Sequence, residues 1–299
     1  MNDAMWTEGI IAVDWGTTNR RAYRLNAQGA LQAEFEDDQG ITAVPAGGFP
    51  AAVADVRERL GDLPLLMAGM IGSNRGWVEA PYVPCPAGLP ELAGSLARIE
   101  RERAAIVPGL SYLDDTRADV MRGEEVQLLG AVAASLTAPD SLVCHPGTHN
   151  KWARLEGGRV TSFRTVMTGE LFSLLSKHSI LSQWLHTSVT VGDAFRAGVQ
   201  QGMAGQALTT ELFSIRASVL LGRRAAHEAA SFASGLLIGA DVRTGLAEAD
   251  PHAEIVIMGR PELTRLYVAA LEEAGRPAHQ VDGERAFLAG IQALVKEIA

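Results

Sequence analysis

The stretch Ile10-Ile11-Ala12-Val13-Asp14-Trp15-Gly16-Thr17-Thr18-Asn19 decides how this chain folds. Its apolar first half is typical of a buried strand, and this strand ends in the acidic residue Asp14. A tight turn follows, and Arg21–Leu25 resumes as a second strand. Backbone N–H groups and hydroxyls in such a turn can hold phosphate oxygens. Taken alone, the stretch favours an ordinary hairpin that carries a capping acid.

A second stretch of the same kind lies in the middle of the chain. Ser141–Cys144 predicts a short strand, which leads into the turn His145-Pro146-Gly147-Thr148-His149-Asn150. Strand, small-residue turn, two strands and helix follow one another twice, beginning near residues 10 and 141. We therefore predict two lobes of related topology, in which the two Gly-Thr turns face each other and hold one polyphosphate. The spacing of apolar residues predicts helices over 49–60, 119–134 and 261–274.

Composition excludes several other classes of protein. The 299 residues include 35 Asp and Glu against 26 Lys and Arg, so the net charge of −9 argues against a nucleic-acid partner. Two cysteines cannot build a disulfide framework or a cysteine-rich metal site. Met1–Gly9 is acidic rather than typical of a signal peptide, and no run approaches the roughly 20 apolar residues of a membrane helix. We therefore expect a cytoplasmic protein with no membrane partner.

Common nucleotide and metal motifs are missing from the sequence. The chain has no Gly-Lys dipeptide and therefore no Walker A loop, and no G-x-G-x-x-G for a dinucleotide. His145 and His149 are four residues apart, but Pro146 and Gly147 between them prevent the helix on which such a pair would hold zinc.

The two turns resemble phosphate motifs of the sugar-kinase, Hsp70 and actin superfamily, whose members bind ATP between two lobes. Residues 14–18 resemble its first phosphate motif and Gly147-Thr148 its second, while Ile255–Gly259 before a helix resembles its adenosine motif. The resemblance implies an α/β protein with a two-lobed actin-like ATPase (ribonuclease H-like) fold, a duplicated βββαβα unit and an inter-lobe cleft. It implies a sugar- and phosphate-binding lobe over residues 1–125 and a nucleotide-binding lobe over residues 126–299.

Four blocks in order along the chain give a closer resemblance, to the 2-dehydro-3-deoxygalactonokinase family: Ala68–Trp77, Val120–Glu125, His145–Trp152 and Arg164–Leu171. This family implies ATP-dependent phosphorylation, with Mg²⁺, of the 6-hydroxyl of 2-dehydro-3-deoxy-D-galactonate in D-galactonate breakdown. The implied partners are the acid sugar and ATP, with a homodimer as one option for the assembly. Two alternatives are a kinase for another acid sugar, such as 2-dehydro-3-deoxygluconate, and a non-catalytic sugar or nucleotide sensor on the same fold.

The resemblance also implies roles for individual residues. Asp14 would act in catalysis and hold the metal, and Glu124 would act as the catalytic base. ATP would contact Gly16, Thr17, Thr18, Gly147, Thr148, His149 and Gly259. The sugar would contact Asn19, Asn74, Trp77, Arg122 and Arg164. Because a guanidinium grips a carboxylate through two hydrogen bonds, Arg75, Arg122 and Arg164 are candidates for binding the acid group, and Arg122 is preferred.

Two departures from the superfamily pattern affect this assignment. His145 stands where the second phosphate motif often begins with Asp, so metal binding would depend on Asp14 and the catalytic base rather than on a second acid at a strand end. Glu124 replaces the usual Asp, which moves the carboxylate outward by one methylene. The sequence leaves open whether Glu124 or Glu125 faces the reacting groups.

Overall fold

The computed structural model describes residues 6, 8–247 and 249–298. The segment Met1–Gly9, for which no signal peptide is predicted, lies mostly outside these residues. The strands are β1 (Gly9–Trp15), β2 (Arg20–Asn26), β3 (Leu31–Asp37), β4 (Leu65–Gly69), β5 (Tyr82–Pro84), β6 (Ala97–Ile99), β7 (Ala104–Ile106), β8 (Gly109–Leu113), β9 (Ala118–Met121), β10 (Ser141–His145), β11 (Asn150–Glu156), β12 (Arg159–Val166), β13 (Ile255–Gly259) and β14 (His279–Asp282). The helices are α1 (Phe49–Leu60), α2 (Leu89–Gly94), α3 (Glu124–Ala133), α4 (Thr168–His178), α5 (Asp193–Met203), α6 (Leu208–Leu220), α7 (Ala229–Leu246), α8 (Pro261–Glu273) and α9 (Gly283–Ile298).

The chain forms two compact units. The first comprises residues 1–139, 155–162 and 283–299, and the second comprises residues 140–154 and 163–282. The predicted boundary after residue 125 falls inside α3, whereas the units divide after Pro139. The reason is that α3 packs closely on α9, where a Cβ built on Gly130 would lie 2.4 Å from the backbone nitrogen of Gly290. The final helix therefore belongs to the first unit rather than to the second.

A six-stranded sheet in the order β3-β2-β1-β4-β7-β6 organises the first unit. β1 lies inside this sheet, antiparallel to β2 and parallel to β4. Alternate β1 side chains, Ile11, Val13 and Trp15, pack with α1 in one apolar core. Because β1 is buried except at Asp14, this carboxylate is presented at the carboxyl end of a fixed strand.

The second unit repeats this arrangement in a five-stranded sheet of order β12-β11-β10-β13-β14. β10 is parallel to β13, as β1 is to β4, and β13 is parallel to β14. The predicted α/β repeat of the strand and turn unit is confirmed. No helix within the described ranges is both long and apolar enough to cross a bilayer.

The helix predicted over residues 119–134 is wrong in its first turn. Ala118–Met121 is instead strand β9, which pairs antiparallel with β8. Gly123 then takes a φ of +110°, a value outside the helical region, and α3 begins at Glu124. The apolar spacing was right for α3, but Gly123 separates that helix from the preceding strand.

Candidate active site

The first turn is held by a neighbouring loop of the first unit. The carbonyl oxygen of Thr18 accepts from the Gly40 N–H at 3.1 Å, and that of Gly16 accepts from the Ile41 N–H at 3.0 Å. The Thr17 carbonyl accepts from the hydroxyl of Thr42 at 2.8 Å. These three hydrogen bonds fix the backbone of the turn on the loop at residues 40–42. The Thr17 and Thr18 side chains are exposed, and half-buried Asn19 accepts the Thr18 hydroxyl at 2.9 Å.

A pair of glycines brings the start of α3 close to the end of β1. A Cβ on Gly69 would lie 3.4 Å from Oδ1 of Asp14 and 2.8 Å from the carbonyl oxygen of Trp15. A Cβ on Gly123 would in turn lie 3.2 Å from the Cα of Gly69. Both glycines have positive φ, so a side chain at either would be strained as well as crowded. The structure therefore brings the predicted catalytic residues Asp14 and Glu124 to the same edge of the first unit.

The two glutamates at the start of α3 have different environments. Glu124 is half-buried, and its Oε2 accepts the Arg122 N–H at 3.2 Å. Glu125 is fully buried, and its Oε2 accepts the Gly123 N–H at 2.7 Å. Burial, followed by the charge of Glu124, raises the pKa of Glu125 to about 8. Glu125 is thus a largely protonated acid at neutral pH that fixes the turn, whereas Glu124 is the more exposed carboxylate.

The raised pKa of Glu125 makes a prediction about stability. Between the ordinary value of 4.5 and about 8, the folded protein binds this proton more tightly than the unfolded chain does. The contribution to the free energy of unfolding is therefore present below about pH 4.5 and is lost as pH rises towards 8. Glutamine mimics the protonated acid, so Glu125→Gln should gain melting temperature relative to wild type as pH rises from about 5.5 to about 8. Calorimetry at the two pH values measures this, and an equal pH response in both proteins would contradict it.

Arg122 is a buried guanidinium whose hydrogen bonds are incomplete. Its side chain is 8% exposed, Nη2 donates to the carbonyl oxygen of Ala80 at 2.8 Å, and the group lies 4.3 Å from the Tyr82 ring centre. Its Nε and Nη1 are buried without a hydrogen-bond partner among the described residues. A buried cation with unpaired donors is costly unless an anion completes it. This is the strongest anion-binding signal in the first unit.

The loop that carries the other predicted sugar contacts is tightly folded. The Trp77 N–H donates to Ile71 at 2.9 Å, and the Ala80 N–H donates to Gly72 at 2.9 Å. Trp77 is half-buried against the core of the unit, while Asn74 and Arg75 are exposed. Of these residues, Asn74 is therefore presented on the surface, and Trp77 serves at least partly as a packing residue.

The second turn is built from close backbone contacts in the second unit. A Cβ on Gly169 would lie 2.5 Å from the carbonyl oxygen of Gly147, and one on Gly259 would lie 3.3 Å from that of Pro146. The Glu170 N–H donates to the Thr148 carbonyl at 2.9 Å, and the Glu170 carboxylate lies 2.5 Å from Nε2 of His149. The structure thus brings the predicted nucleotide residues 147–149 and 259 together at the carboxyl ends of β10 and β13. Arg164 lies on β12 and is half-buried.

Residues that the sequence did not identify support this turn. Thr168 is the first residue of α4 and donates its hydroxyl to Asp241. Asp241 and Thr168 also line a cavity of about 270 Å³ among α4, α5, α6 and α7. The described lining includes none of Gly147, Thr148, His149 and Gly259.

Comparison with known proteins assigns the family. The model of the 2-keto-3-deoxy-galactonokinase family matches residues 14–294. This chain belongs to that family. It is 38% identical over 298 residues to the 2-dehydro-3-deoxygalactonokinase of Escherichia coli K12, covering 98% of this chain and 99% of the relative. A Sinorhizobium meliloti crystal structure named for the same activity superposes with a TM-score of 0.90 at 39% identity, covering 96% of this chain and 98% of the other.

More distant structures show the fold alone. Component A of the Acidaminococcus fermentans (R)-2-hydroxyglutaryl-CoA dehydratase superposes with a TM-score of 0.52 at 14% identity, covering 97% of this chain and 98% of the other. This chain shares the fold of that protein, and the predicted two-lobed α/β fold class is confirmed.

Proposed function

We propose that this protein transfers the γ-phosphoryl group of ATP to the 6-hydroxyl of 2-dehydro-3-deoxy-D-galactonate. Family membership supports the kinase activity and the substrate class. The observation that carries the chemistry is the Gly69–Gly123 contact, which gathers Asp14 and Glu124 at one edge.

The residues at the end of β1 fit a magnesium ion bound together with nucleotide. Mg²⁺ usually keeps several waters and takes one or two carboxylates plus phosphate oxygens, so a large protein cage is not needed. Asp14 supplies a carboxylate, and the absence of a side chain at Gly69 lets its backbone lie close to that carboxylate, where a Cβ would be 3.4 Å from Oδ1. When bound there, Mg²⁺ would neutralise charge on the β- and γ-phosphates. The hydroxyls and backbone of residues 16–18 and 147–149 would contact the phosphates, and Gly259 would lie near the nucleoside.

Glu124 would accept the proton of the attacking hydroxyl. A primary hydroxyl has a pKa far above 7, so a positioned carboxylate helps as its oxygen approaches the γ-phosphorus. The fixed start of α3 positions this side chain, and the buried carboxyl of Glu125 holds that start by accepting the Gly123 N–H. Substrate orientation would fall to Asn19, Asn74, Trp77 and Arg164.

Arg122 would bind the carboxylate of the acid sugar through Nε and Nη1, the donors that have no hydrogen-bond partner among the described residues. We expect Arg122→Ala to raise KM for the sugar about ten- to a hundredfold, since a charged hydrogen bond is worth roughly 1.5–3 kcal/mol, and to change KM for ATP much less. Initial-rate kinetics with each substrate varied in turn measure this. Arg75→Ala is the control, because Arg75 is an exposed arginine of the same unit. An unchanged sugar KM in Arg122→Ala, or the loss appearing in Arg75→Ala instead, would contradict the assignment.

The experiment that tests the function is a coupled ADP-release assay. Purified protein with ATP and Mg²⁺ is offered 2-dehydro-3-deoxygalactonate, 2-dehydro-3-deoxygluconate, and the neutral sugars galactose and glucose. The proposal expects the highest kcat/KM for the galactonate derivative and little turnover of neutral sugars. Preference for the gluconate derivative would change the substrate, and binding without ADP release would indicate a sensor.

We place the enzyme in the cytoplasm, where ATP is available, and a homodimer remains a prediction to be tested by sedimentation.

A further inference from the structure

We infer that Asp241, which is remote from the predicted motifs in sequence, positions the second turn for nucleotide binding. Asp241 lies in the apolar helix α7 and is 1% exposed. Its carboxylate accepts from Asn150 Nδ2 at 2.9 and 3.0 Å and from Trp152 Nε1 at 2.7 Å. The hydroxyls of Thr168 and Tyr267 each donate to its Oδ2 at 2.5 Å. These four donors come from β11, the start of α4, and α8.

Two of these donors, Asn150 and Thr168, are next in sequence to residues that form or contact the second turn. Asn150 directly follows His149, and its Oδ1 also accepts from the Cys144 thiol on β10 at 3.6 Å. Thr168 directly precedes Gly169, whose backbone packs on Gly147. Asp241 therefore joins the strand that leaves the turn to the helix that supports it.

The fourth donor links the carboxylate to the segment that follows β13. Tyr267 lies on α8, which begins at Pro261, shortly after Gly259. Gly259 in turn lies against the carbonyl of Pro146. One buried carboxylate thus connects the elements that carry both nucleotide motifs of this unit.

This arrangement makes Asp241 a positioning residue rather than a catalytic one. All four donors are neutral groups, and the carboxylate oxygens are occupied by them within a buried site. A change here would act on nucleotide through the turn, and a displacement of about 1 Å in a binding element can cost about a hundredfold. The inference depends on the proposed function only in that the second turn binds nucleotide.

The test compares two variants, each of which removes one of the two hydroxyls that donate to Oδ2 of Asp241. Thr168→Val and Tyr267→Phe both delete a 2.5 Å bond to Oδ2, but only Thr168 adjoins the residue packed on the turn. We expect Thr168→Val to weaken ADP binding, measured by calorimetry with Mg²⁺, about tenfold, and Tyr267→Phe to weaken it less. Asp241→Asn should weaken it ten- to a hundredfold if it folds, and the two hydroxyl variants keep the test valid if it does not. The KM for the acid sugar should stay near the wild-type value in all three.

Three other outcomes would each decide a different point. Lower melting temperatures with unchanged ADP affinity in Thr168→Val and Tyr267→Phe would overturn the inference, because the network would then serve stability alone. Equal losses of ADP affinity in these two variants would support the inference, because Tyr267 joins Asp241 to the helix that follows Gly259. If wild type binds ADP but phosphorylates none of the acid sugars, the proposed function fails while the inference about Asp241 can still be decided.

Discussion

Glu124→Gln is expected to lower kcat by about 10²–10⁴ with little change in KM for either substrate. Glutamine keeps the shape of the side chain and its place on the first turn of α3, but it cannot accept the proton of the substrate hydroxyl. In a loose phosphoryl-transfer transition state this proton leaves late, so positioning matters as much as basicity. Circular dichroism and the melting temperature should remain those of wild type, because Glu124 is half-buried and at the helix surface.

Glu125→Gln is a matched control, since it makes the same chemical change one residue along the same helix. The buried acid is largely protonated near neutral pH, so glutamine should preserve the acceptor for the Gly123 N–H and leave kcat near wild type. A crippled Glu125→Gln beside a nearly normal Glu124→Gln would assign the base to Glu125. If both variants stayed active, the base would lie outside this helix.

Local patterns in the sequence predicted the elements that carry the two turns. The helix predicted over residues 49–60 has those bounds as α1, because its apolar residues recur at helical spacing and Gly61 ends it. The repeated strand-turn-strand order gave the sheet of each unit, since buried strands that end in Gly-Thr turns are short-range features. The family was also accessible, because four short blocks in order are more specific than one phosphate motif.

The sequence could not predict how distant residues meet around those turns. Asp241 is 91 residues from Asn150 and 73 from Thr168, so no local pattern links them. The sequence nevertheless contains a signal, because Asp241 is an acid within the largely apolar run Phe232–Val242. Such an acid lies either at the surface or in the interior with hydrogen-bond partners. The extent of the first unit depends on a contact of the same kind, because the close approach of Gly130 to Gly290 joins α3 to the final helix.

The choice between Glu124 and Glu125 shows how burial decides chemistry that sequence leaves open. Both residues are glutamates in one helical turn, and their positions relative to Gly123 differ by one residue. Only the structure shows that Glu125 is enclosed and bonded to the Gly123 N–H while Glu124 remains half-buried. This difference supports Glu124 as the proposed base, and the paired variants above test it.

Asp14→Asn should leave the fold and the affinity for the acid sugar unchanged and lower kcat by about a hundredfold or more. Asparagine matches the shape of aspartate at the carboxyl end of β1, so the strand and its contact with Gly69 should persist. The change removes the negative charge that would hold Mg²⁺ against the β- and γ-phosphates, where charge must be neutralised as the γ-phosphoryl group leaves. The Mg²⁺ concentration that gives half-maximal rate should also rise, which a general loss of folded protein would not produce.

Asp115→Asn, an identical change at an exposed position, should leave both kcat and the Mg²⁺ requirement at wild-type values. A near-normal kcat in Asp14→Asn at limiting Mg²⁺ would show that the metal is held elsewhere, and with it the assignment of the first turn as the phosphate site of this unit would fail.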